Sequence, residues 1–444
     1  MQMAPENEEK TSNWFKGINV AKIVNAAKDA KQLGKEDPRR IIHSLKVGLA
    51  ITLVSLFYYF NFSYEGFGVS AMWAIMTVVV VFEFSVGATL GKGVNRGIAT
   101  LLGGALGVGA HRLASLSGGK AGMYHSRIIG FLSAVVTFIR FFPKLKARYD
   151  YGLLIIILTF SLISVSGYRD DEVLQMAYIR LSTILIGGSA TVFICIFICP
   201  VWAGKDLHNL IATNIENLGI FFEGFGCEYF ETKTDKDQET NASMDGYKNV
   251  FNSKGTEEAL VNFAKWEPRH DKFRYRHPWD QYLKIGTLTR ECAYRIDALN
   301  GFLHSEMQTP MEIRAKIQES CRKMSLECSY ALKELALGIN NMTFSLHIDH
   351  HILSAKAAAK KLKSSLKTGL WPDANLLDII PAATVASLLI ETVSYTVKIV
   401  DSVHELASLS QFENCDATLP NETSREEVTR SPGIESHSLS ITVE

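Results

Sequence analysis

The stretch LSTILIGGSATVFICIFICPV, residues 181–201, contains no charged residue. A bilayer core about 30 Å thick is crossed by roughly 20 apolar residues in a helix, because every backbone amide must find its partner inside that helix. The stretch is long enough and apolar enough to meet this requirement. It therefore predicts a membrane-spanning helix, and it places the chain among membrane proteins.

Five more apolar stretches precede it, at 41–60, 66–82, 97–110, 128–142 and 151–167. Two of them, 97–110 and 128–142, are short and need flanking residues to cross a bilayer. The later part of the chain shows apolar residues at helical spacing without comparable runs. The sequence predicts an all-α polytopic membrane protein with six transmembrane helices, followed by a cytosolic helical bundle domain.

Charge is divided unevenly along the chain although the total is zero. Residues 41–200 hold 12 Lys and Arg against 6 Asp and Glu, a net charge of +6, so the remainder carries −6. With a cytosolic N-terminus, the inner flanks hold Lys35, Arg39, Arg40, Lys92, Arg96, Lys144, Lys146, Arg148 and Lys205. The outer flanks then hold Arg112, Lys120, Arg127 and Arg169. Because basic residues concentrate on the cytosolic side, both termini are expected to be cytosolic.

Three cations are expected at membrane depth: Lys46 and Arg140 within apolar stretches, and Arg180 about two turns beyond the acidic turn at 169–172. Ionisable side chains at membrane depth usually face a bundle interior or a watery cavity, and no carboxylate in the apolar interior is available to pair with these three. A conduit lined by Lys and Arg favours anions. The alternative is snorkelling of the charged head to the interface, which fits Arg140 better than the deeper Lys46 and Arg180.

Small residues cluster in two of the apolar stretches, at Gly103, Gly104, Gly107 and Gly109 and in the run 187–190. Small residues allow close approach of helix backbones in a membrane. They indicate either tight packing within one subunit or a subunit interface.

Four segments follow from these patterns: a cytosolic N-terminal segment (1–37), a six-helix transmembrane pore domain (38–204), a cytosolic helical domain (205–410) and a disordered C-terminal tail (411–444). Residues 231–256 are polar and are expected to form a linker. Later helices are expected at 311–346, 351–367 and 373–409. The run 379–393 is apolar, but it is short and interrupted by Pro381 and Glu391, so it predicts a core helix and not a seventh span.

No motif points to an enzyme or to a cofactor. The run GATLGKG at 87–93 is one residue short of phosphate-loop spacing, and Lys92 is followed by Gly93 and not by Ser or Thr. His347, His350 and His351 are expected to lie at a solvated helix end and not to form a metal site, and no nucleophile arrangement is present.

Several strings resemble the plant aluminium-activated malate transporter family: MWAIMTVVVVFEFSVGATLGKG at 72–93, FIRFFP at 138–143, CPVWAG at 199–204 and WEP at 266–268. The resemblance covers about residues 37–409. It implies a dimeric anion channel selective for malate, and in some members for nitrate, chloride or sulfate. It also implies six membrane helices with a cytosolic helical domain, in the plasma membrane or the vacuolar membrane.

The same resemblance suggests roles for particular residues. Basic pore positions would be Lys46, Lys92, Arg96, Arg140 and Arg180. For Lys92 and Arg96 the alternative is ordinary anchoring on the positive side of the membrane.

An acidic cluster linked to the aluminium response in some members would be Glu65, Asp170, Asp171 and Glu172. A hard trivalent cation needs several converging carboxylate oxygens, and the alternative is a solvated acidic turn. Phe193 and Phe197 resemble positions linked to control by 4-aminobutyrate, for which core packing is the alternative.

Two other classes of function compete with the channel. A coupled carrier for organic anions is expected to have discontinuous helices and a membrane-buried carboxylate or His. His43 and His111 lie only near membrane ends, which favours the channel. A membrane-anchored enzyme or signalling module lacks a catalytic constellation, and the cytosolic domain is more consistent with dimerisation and gating. The expected partners are malate and other small anions, the lipid bilayer and a second copy of the chain, with no nucleic acid.

Overall fold

The computed structural model describes residues 20–59, 67–115, 121–166, 173–230, 244–273, 277–303, 310–368 and 375–414. Within these ranges the regular secondary structure is helical, apart from one isolated bridge between His270 and Phe273 and two short strands. The strands β1 (Thr343–Phe344) and β2 (Glu413–Asn414) pair in parallel. The predicted all-α class is confirmed.

The first half of the described chain consists of α1 (Val20–Glu36), α2 (Arg39–Tyr59), α3 (Phe67–Val81), α4 (Val86–Ser115), α5 (Ala121–Ile139), α6 (Pro143–Ser166) and α7 (Val173–Phe197). Helix α4 packs against α6 and α7, and α3 packs against α7 and α2. We call residues 20–202 the N-terminal half.

Apolar windows long enough to cross a membrane occur in α6 (Arg148–Val165) and α7 (Ala177–Phe197). Shorter apolar segments occur in α3 (Met72–Val81) and α5 (Ser126–Ile139). These helices support an integral membrane protein, and the count of six spans stays a prediction.

Proline determines two helix ends that differ from the expected ones. Helix α5 ends at Ile139 and not at residue 142, because Pro143 begins α6 and disfavours helical backbone at the residue before it. Helix α7 ends at Phe197 and not at residue 201, because Pro200 cannot continue a helix. The expected short span 97–110 lies inside the 30-residue helix α4.

The second half consists of α8 (Ala203–Glu228), a 3-10 turn (Asp245–Lys248), α9 (Asn249–Asn252), α10 (Lys254–Ala264), α11 (Trp279–Leu303), α12 (Met311–Asn341), α13 (His347–Lys367) and α14 (Leu376–Ser410). Helix α8 packs against α10, α11 and α12, and α14 packs against α11, α12 and α13. Their apolar faces form one continuous core. We call residues 203–414 the C-terminal half.

Helix α14 belongs to this core. Its window Leu377–Ser410 is by length and composition apolar enough to cross a membrane. However, Val385, Leu389, Val403 and Leu406 are buried against the neighbouring helices. This placement agrees with the core helix predicted at 379–393.

The linker predicted at 231–256 is wrong for residues 244–256, while 231–243 lie outside the described residues. Met244, Tyr247 and Val250 are buried, and the Tyr247 hydroxyl donates to Asp297 Oδ1 at 2.8 Å. These apolar residues recur every three positions, a helical spacing hidden by the polar residues between them. Of the predicted tail, residues 411–414 are described and end in β2, while 415–444 lie outside the described residues.

Candidate functional site

Two arginines from different helices lie buried in the N-terminal half. Arg96 lies ten residues, about 15 Å, beyond the start of α4. Its exposed fraction is 6%, and that of Arg180 in α7 is 8%. Helices α4 and α7, which carry these arginines, pack against each other. Within the described ranges, no carboxylate lies within 4.0 Å of either guanidinium, a condition that favours an external anion.

Neutral groups from two further helices orient these arginines. Arg96 Nη1 donates to the Tyr151 hydroxyl of α6 at 2.9 Å. The Arg180 guanidinium lies over the Trp73 ring of α3, 4.0 Å from the ring centroid. An aromatic face and a phenol oxygen hold a guanidinium without cancelling its charge. The site therefore collects side chains from α3, α4, α6 and α7.

Glycines allow these four helices to approach closely. A Cβ at Gly187 of α7 would lie 2.5 Å from the Ala74 carbonyl oxygen of α3. A Cβ at Gly107 of α4 would lie 2.8 Å from Ile163 Cγ2 of α6. These small residues thus pack helices within one chain, which is the first of the two alternatives that the sequence left open.

Lys46 of α2 is buried, with an exposed fraction of 2%. Its Nζ donates to the carbonyl oxygen of Cys199 at 3.2 Å. Cys199 has a φ of 43°, a left-handed conformation that is uncommon for a residue with a side chain, and it directly precedes Pro200. The break after α7 thus turns a backbone carbonyl toward Lys46. The Lys46 head group is therefore buried between helices, at the break that follows α7.

Two of the predicted pore cations are paired with carboxylates. Lys92 forms an ion pair with Glu83, which follows α3. Arg140 lies in the turn before α6, and its Nε and Nη2 donate to the Asp150 carboxylate at 2.7 and 3.2 Å. The expectation that Arg140 lacks a carboxylate partner is therefore wrong. Pro143 turns the chain between the two residues, and this brings them together.

The predicted regulatory residues have different outcomes. Phe193 and Phe197 lie one turn apart on α7, 62% and 69% exposed, with their ring centroids 4.6 Å apart. The core-packing interpretation of these rings is wrong. Glu65, Asp170, Asp171 and Glu172 lie outside the described residues. Among the residues that the structure describes, no cluster of three or more His, Cys, Asp and Glu could hold a metal ion.

A buried carboxylate, Glu267, lies at the start of α8, where the C-terminal half meets Gly87 of the N-terminal half. Glu267 Oε1 accepts from the Ala203 backbone N–H at 2.6 Å, and Oε2 accepts from the Gly204 N–H at 3.0 Å. Burial raises the pKa of Glu267, and these backbone hydrogen bonds oppose that shift. Beside it, the Trp202 and His270 rings stack 3.8 Å apart. Glu267 therefore caps the first turn of α8.

The start of α4 also contacts the C-terminal half. A Cβ at Gly87 would collide with the Phe263 carbonyl oxygen at the end of α10. At Gly91 a Cβ would lie 3.0 Å from Trp266 Cδ1. The run 87–93, which includes Lys92, therefore packs against the C-terminal half. Arg96 follows it on the same helix.

Trp73, Tyr151 and Glu83 were not predicted as partners of the cations. Trp73 and Glu83 lie within the string 72–93. A Trp or Tyr inside an apolar stretch gives no signal of which cation it contacts, because that contact depends on how two helices pack.

Comparison with known proteins identifies one family of relatives. The sequence pattern of the family described as "Aluminium activated malate transporter" matches residues 31–371. Aluminum-activated malate transporter 2 of Arabidopsis thaliana is 54% identical over 400 residues, which cover 89% of this chain and 80% of that protein. Aluminum-activated malate transporter 1 of the same plant is 49% identical over 404 residues, which cover 89% and 82%. Aluminum-activated malate transporter 1 of Triticum aestivum is 43% identical over 412 residues, which cover 88% of each chain.

Proposed function

The chain belongs to the aluminium-activated malate transporter family, and on that premise we propose that it is a malate-permeable anion channel. Malate, and with it nitrate, chloride or sulfate, moves passively down its electrochemical gradient through a pore lined by basic side chains. No covalent chemistry is involved. The pore positions are Lys46, Lys92, Arg96, Arg140 and Arg180.

The buried pair of Arg96 and Arg180 is the observation that carries this proposal. Two like charges at membrane depth destabilise each other and lose hydration, unless an anion enters between them. Malate carries two carboxylates, and a guanidinium is the side chain that binds a carboxylate with two parallel hydrogen bonds. The pair therefore supports a binding position for a dicarboxylate inside the pore.

The remaining cations occupy shallower positions along the same path. Lys46 lies seven residues, about 10 Å, beyond the start of α2, and Lys92 lies six residues beyond the start of α4. Arg140 lies at a helix end. We assign these three to attracting anions toward the deeper arginines, with Lys92 and Arg140 weakened by their carboxylate partners.

The topology completes the proposal. Helices α2 to α7 form the six spans of a pore domain at 38–204, both termini are cytosolic, and the C-terminal half is a cytosolic domain of a homodimer. Gly87 contacts Phe263 at the end of α10, and Gly91 contacts Trp266 just after it. Together with the Glu267 cap on α8, these contacts give this domain a mechanical connection to the pore helices. Gating of the pore by the C-terminal half follows from that connection. The host membrane is the plasma membrane or the vacuolar membrane.

Whole-cell or vacuolar patch clamp tests the pore assignment. Arg180→Gln and Arg96→Gln each remove a charge-assisted contact, so we expect anion affinity and malate current to fall roughly tenfold or more. Lys361→Gln, which removes an exposed charge on α13, serves as the matched control. Malate currents equal to wild type in both arginine variants, at equal surface expression, would remove these residues from the pore.

The same recordings separate a channel from a coupled carrier. A channel gives reversal potentials that follow the malate gradient alone, whereas a carrier gives potentials that also shift with the proton gradient at fixed stoichiometry. Adding Al³⁺ to wild type and to Asp171→Asn tests the acidic cluster. Adding 4-aminobutyrate to Phe193→Ala and Phe197→Ala tests the exposed aromatic pair.

A further inference from the structure

A cleft of about 430 Å³ opens between α6 and the segment that joins α10 to α11. Arg148 lines it from the N-terminal half, and Lys265, His270 and Asp280 line it from the C-terminal half. Arg148 is also the first residue of the apolar window of α6. The cleft therefore lies at the membrane boundary, where both halves and the lipid head groups meet.

Arg148 is the exposed cation of this cleft. Within the described ranges, its guanidinium has no carboxylate within 4.0 Å and donates no hydrogen bond. It lies over the Trp266 ring, 5.3 Å from the centroid, and 5.6 Å from that of Tyr149. Its backbone carbonyl accepts from Asn95 Nδ2 at 3.2 Å, which ties α6 to α4 at this point. Two ring faces and a fixed backbone hold the guanidinium while its donors stay available.

The other charges of the cleft do not neutralise Arg148. Lys265 Nζ pairs with Asp280 Oδ1 at 2.7 Å in an exposed ion pair, which stabilises the protein little and can open for a ligand. The carboxylate of Glu267 is buried and holds the two backbone N–H groups of α8. His270 Nδ1 donates to the Pro268 carbonyl at 2.9 Å. Among the described residues, the cleft thus offers one cation without a carboxylate partner and one exchangeable cation, one from each half.

We propose that this cleft binds a phosphate monoester group, bridged between Arg148 and Lys265. A phosphate monoester carries close to two negative charges near neutral pH, enough for two cations from two walls. Basic residues directly beside a membrane helix are a recurring recognition site for phosphorylated lipid head groups. A volume of this size accommodates a head group and not only a bare ion.

Two sources could supply this chemistry: an inositol phospholipid of the adjacent leaflet, or a free phosphorylated metabolite. Either ligand would join α6 to the C-terminal half through one phosphate. Binding itself is independent of the proposed channel activity. A bound phosphate that joins the two halves would also regulate malate current, and this consequence rests on the proposed function.

The test uses the full-length protein in nanodiscs of phosphatidylcholine. Three probes are titrated: dioctanoyl phosphatidylinositol bisphosphate, inositol trisphosphate and inorganic phosphate. We expect Arg148→Gln to weaken binding roughly 10- to 100-fold, the loss of one charge-assisted contact. Asp280→Asn should strengthen binding, because it releases Lys265 from its competing partner. Lys361→Gln on α13 is the matched control and should bind as wild type does.

Each outcome decides the proposal. Tight binding of the lipid alone assigns the site to a membrane head group, and equal binding of inositol trisphosphate or inorganic phosphate assigns it to free phosphates. Absence of binding by wild type to all three probes would overturn the proposal, as would equal affinities in wild type and Arg148→Gln. If Arg148→Gln fails to fold, the affinity of Asp280→Asn decides, because an unchanged affinity contradicts the bridge. Malate currents of the wild-type protein are recorded separately. Phosphate binding without malate current would count only against the proposed function.

Discussion

Replacing Glu267 tests whether the two halves are mechanically connected. In Glu267→Ala, the backbone N–H groups of Ala203 and Gly204 lose the acceptors that now lie 2.6 and 3.0 Å away. Both groups belong to the first turn of α8, directly after the break that ends α7. The substitution therefore frees the helix end at which the C-terminal half meets the membrane helices.

The expected loss of stability in Glu267→Ala follows from these two hydrogen bonds. Each hydrogen bond to a charged acceptor contributes about 1.5–3 kcal/mol, and loss of a capping side chain costs about 0.5–2 kcal/mol. Burial raises the pKa of Glu267, so desolvation of the ionised carboxylate offsets part of this gain. We expect a net destabilisation of about 2 kcal/mol for Glu267→Ala. Glu267→Gln keeps one carbonyl acceptor and should lose about half as much.

Thermal unfolding of the detergent-solubilised protein, followed by size-exclusion chromatography after heating, measures this loss. For a cooperative unit of about 200 residues, 2 kcal/mol lowers the midpoint by roughly 4–8 °C. Glu405→Gln is the matched control, because Glu405 is half-exposed and pairs with Lys284 at 2.6 Å. Its effect should stay within about 0.5 kcal/mol.

Current recordings complete the test. If α8 transmits movement to the pore, Glu267→Ala should shift the voltage dependence of malate current while the single-channel conductance stays close to wild type. A midpoint within about 1 °C of wild type, or an equal drop in Glu405→Gln, would refute the capping argument. A changed conductance with unchanged voltage dependence would refute the mechanical connection.

Three further predictions concern buried groups. Glu257→Gln should destabilise the protein by about 3–5 kcal/mol in urea unfolding, because the buried Arg290 loses its charge partner. Arg290 Nη1 now lies 2.7 Å from the Glu257 carboxylate. A loss of stability below about 1 kcal/mol would contradict this. Gly187→Val should prevent correct folding and conduction, because the new side chain collides with the backbone of α3. Monodisperse protein with normal currents would argue against the close contact between α3 and α7. Burial lowers the pKa of both His208 and His277 to about 4. The unfolded chain therefore binds more protons than the folded chain between about pH 6.5 and 4. As the pH drops through that window, the free energy of unfolding should decrease by up to about 1.4 kcal/mol per pH unit for each His. His208→Gln should show a shallower fall in urea unfolding, and an unchanged slope would contradict the assignment.

The helices were largely predictable from the sequence because apolar runs and helical spacing are local properties. The two helix ends that differ from the expected ones have local causes as well. Pro143 and Pro200 end α5 and α7 earlier than the apolar runs do, since proline restricts the residue before it and cannot continue a helix. Tyr247 was hidden in a polar stretch, and its burial depends on a hydrogen bond to Asp297 on a distant helix.

The types of residue at the candidate site were predictable, but not which of these residues contact each other. Net charge and membrane depth selected Lys46 and Arg180 as cations within apolar helices. That Arg96 and Arg180 come from two helices in contact, α4 and α7, is encoded by no local pattern. The partner of Arg140 could be found only from the turn at Pro143, which brings Asp150 beside it.

The partners of the cations change with depth, and this bears on how an anion could pass. Lys92 and Arg140 each have a carboxylate partner, and Lys46 has a carbonyl oxygen. In the part of the chain that the structure describes, the partners of Arg96 and Arg180 are a phenol and an indole ring. A carboxylate cancels most of a cation's attraction for an anion, a carbonyl cancels less, and an aromatic face cancels least. Under the proposed function, attraction for malate therefore rises from the helix ends toward the two buried arginines. Conduction also requires that a bound anion can leave. The repulsion between the two arginines favours anion entry, while water and the shallower, partly neutralised cations offer it an exit of lower affinity.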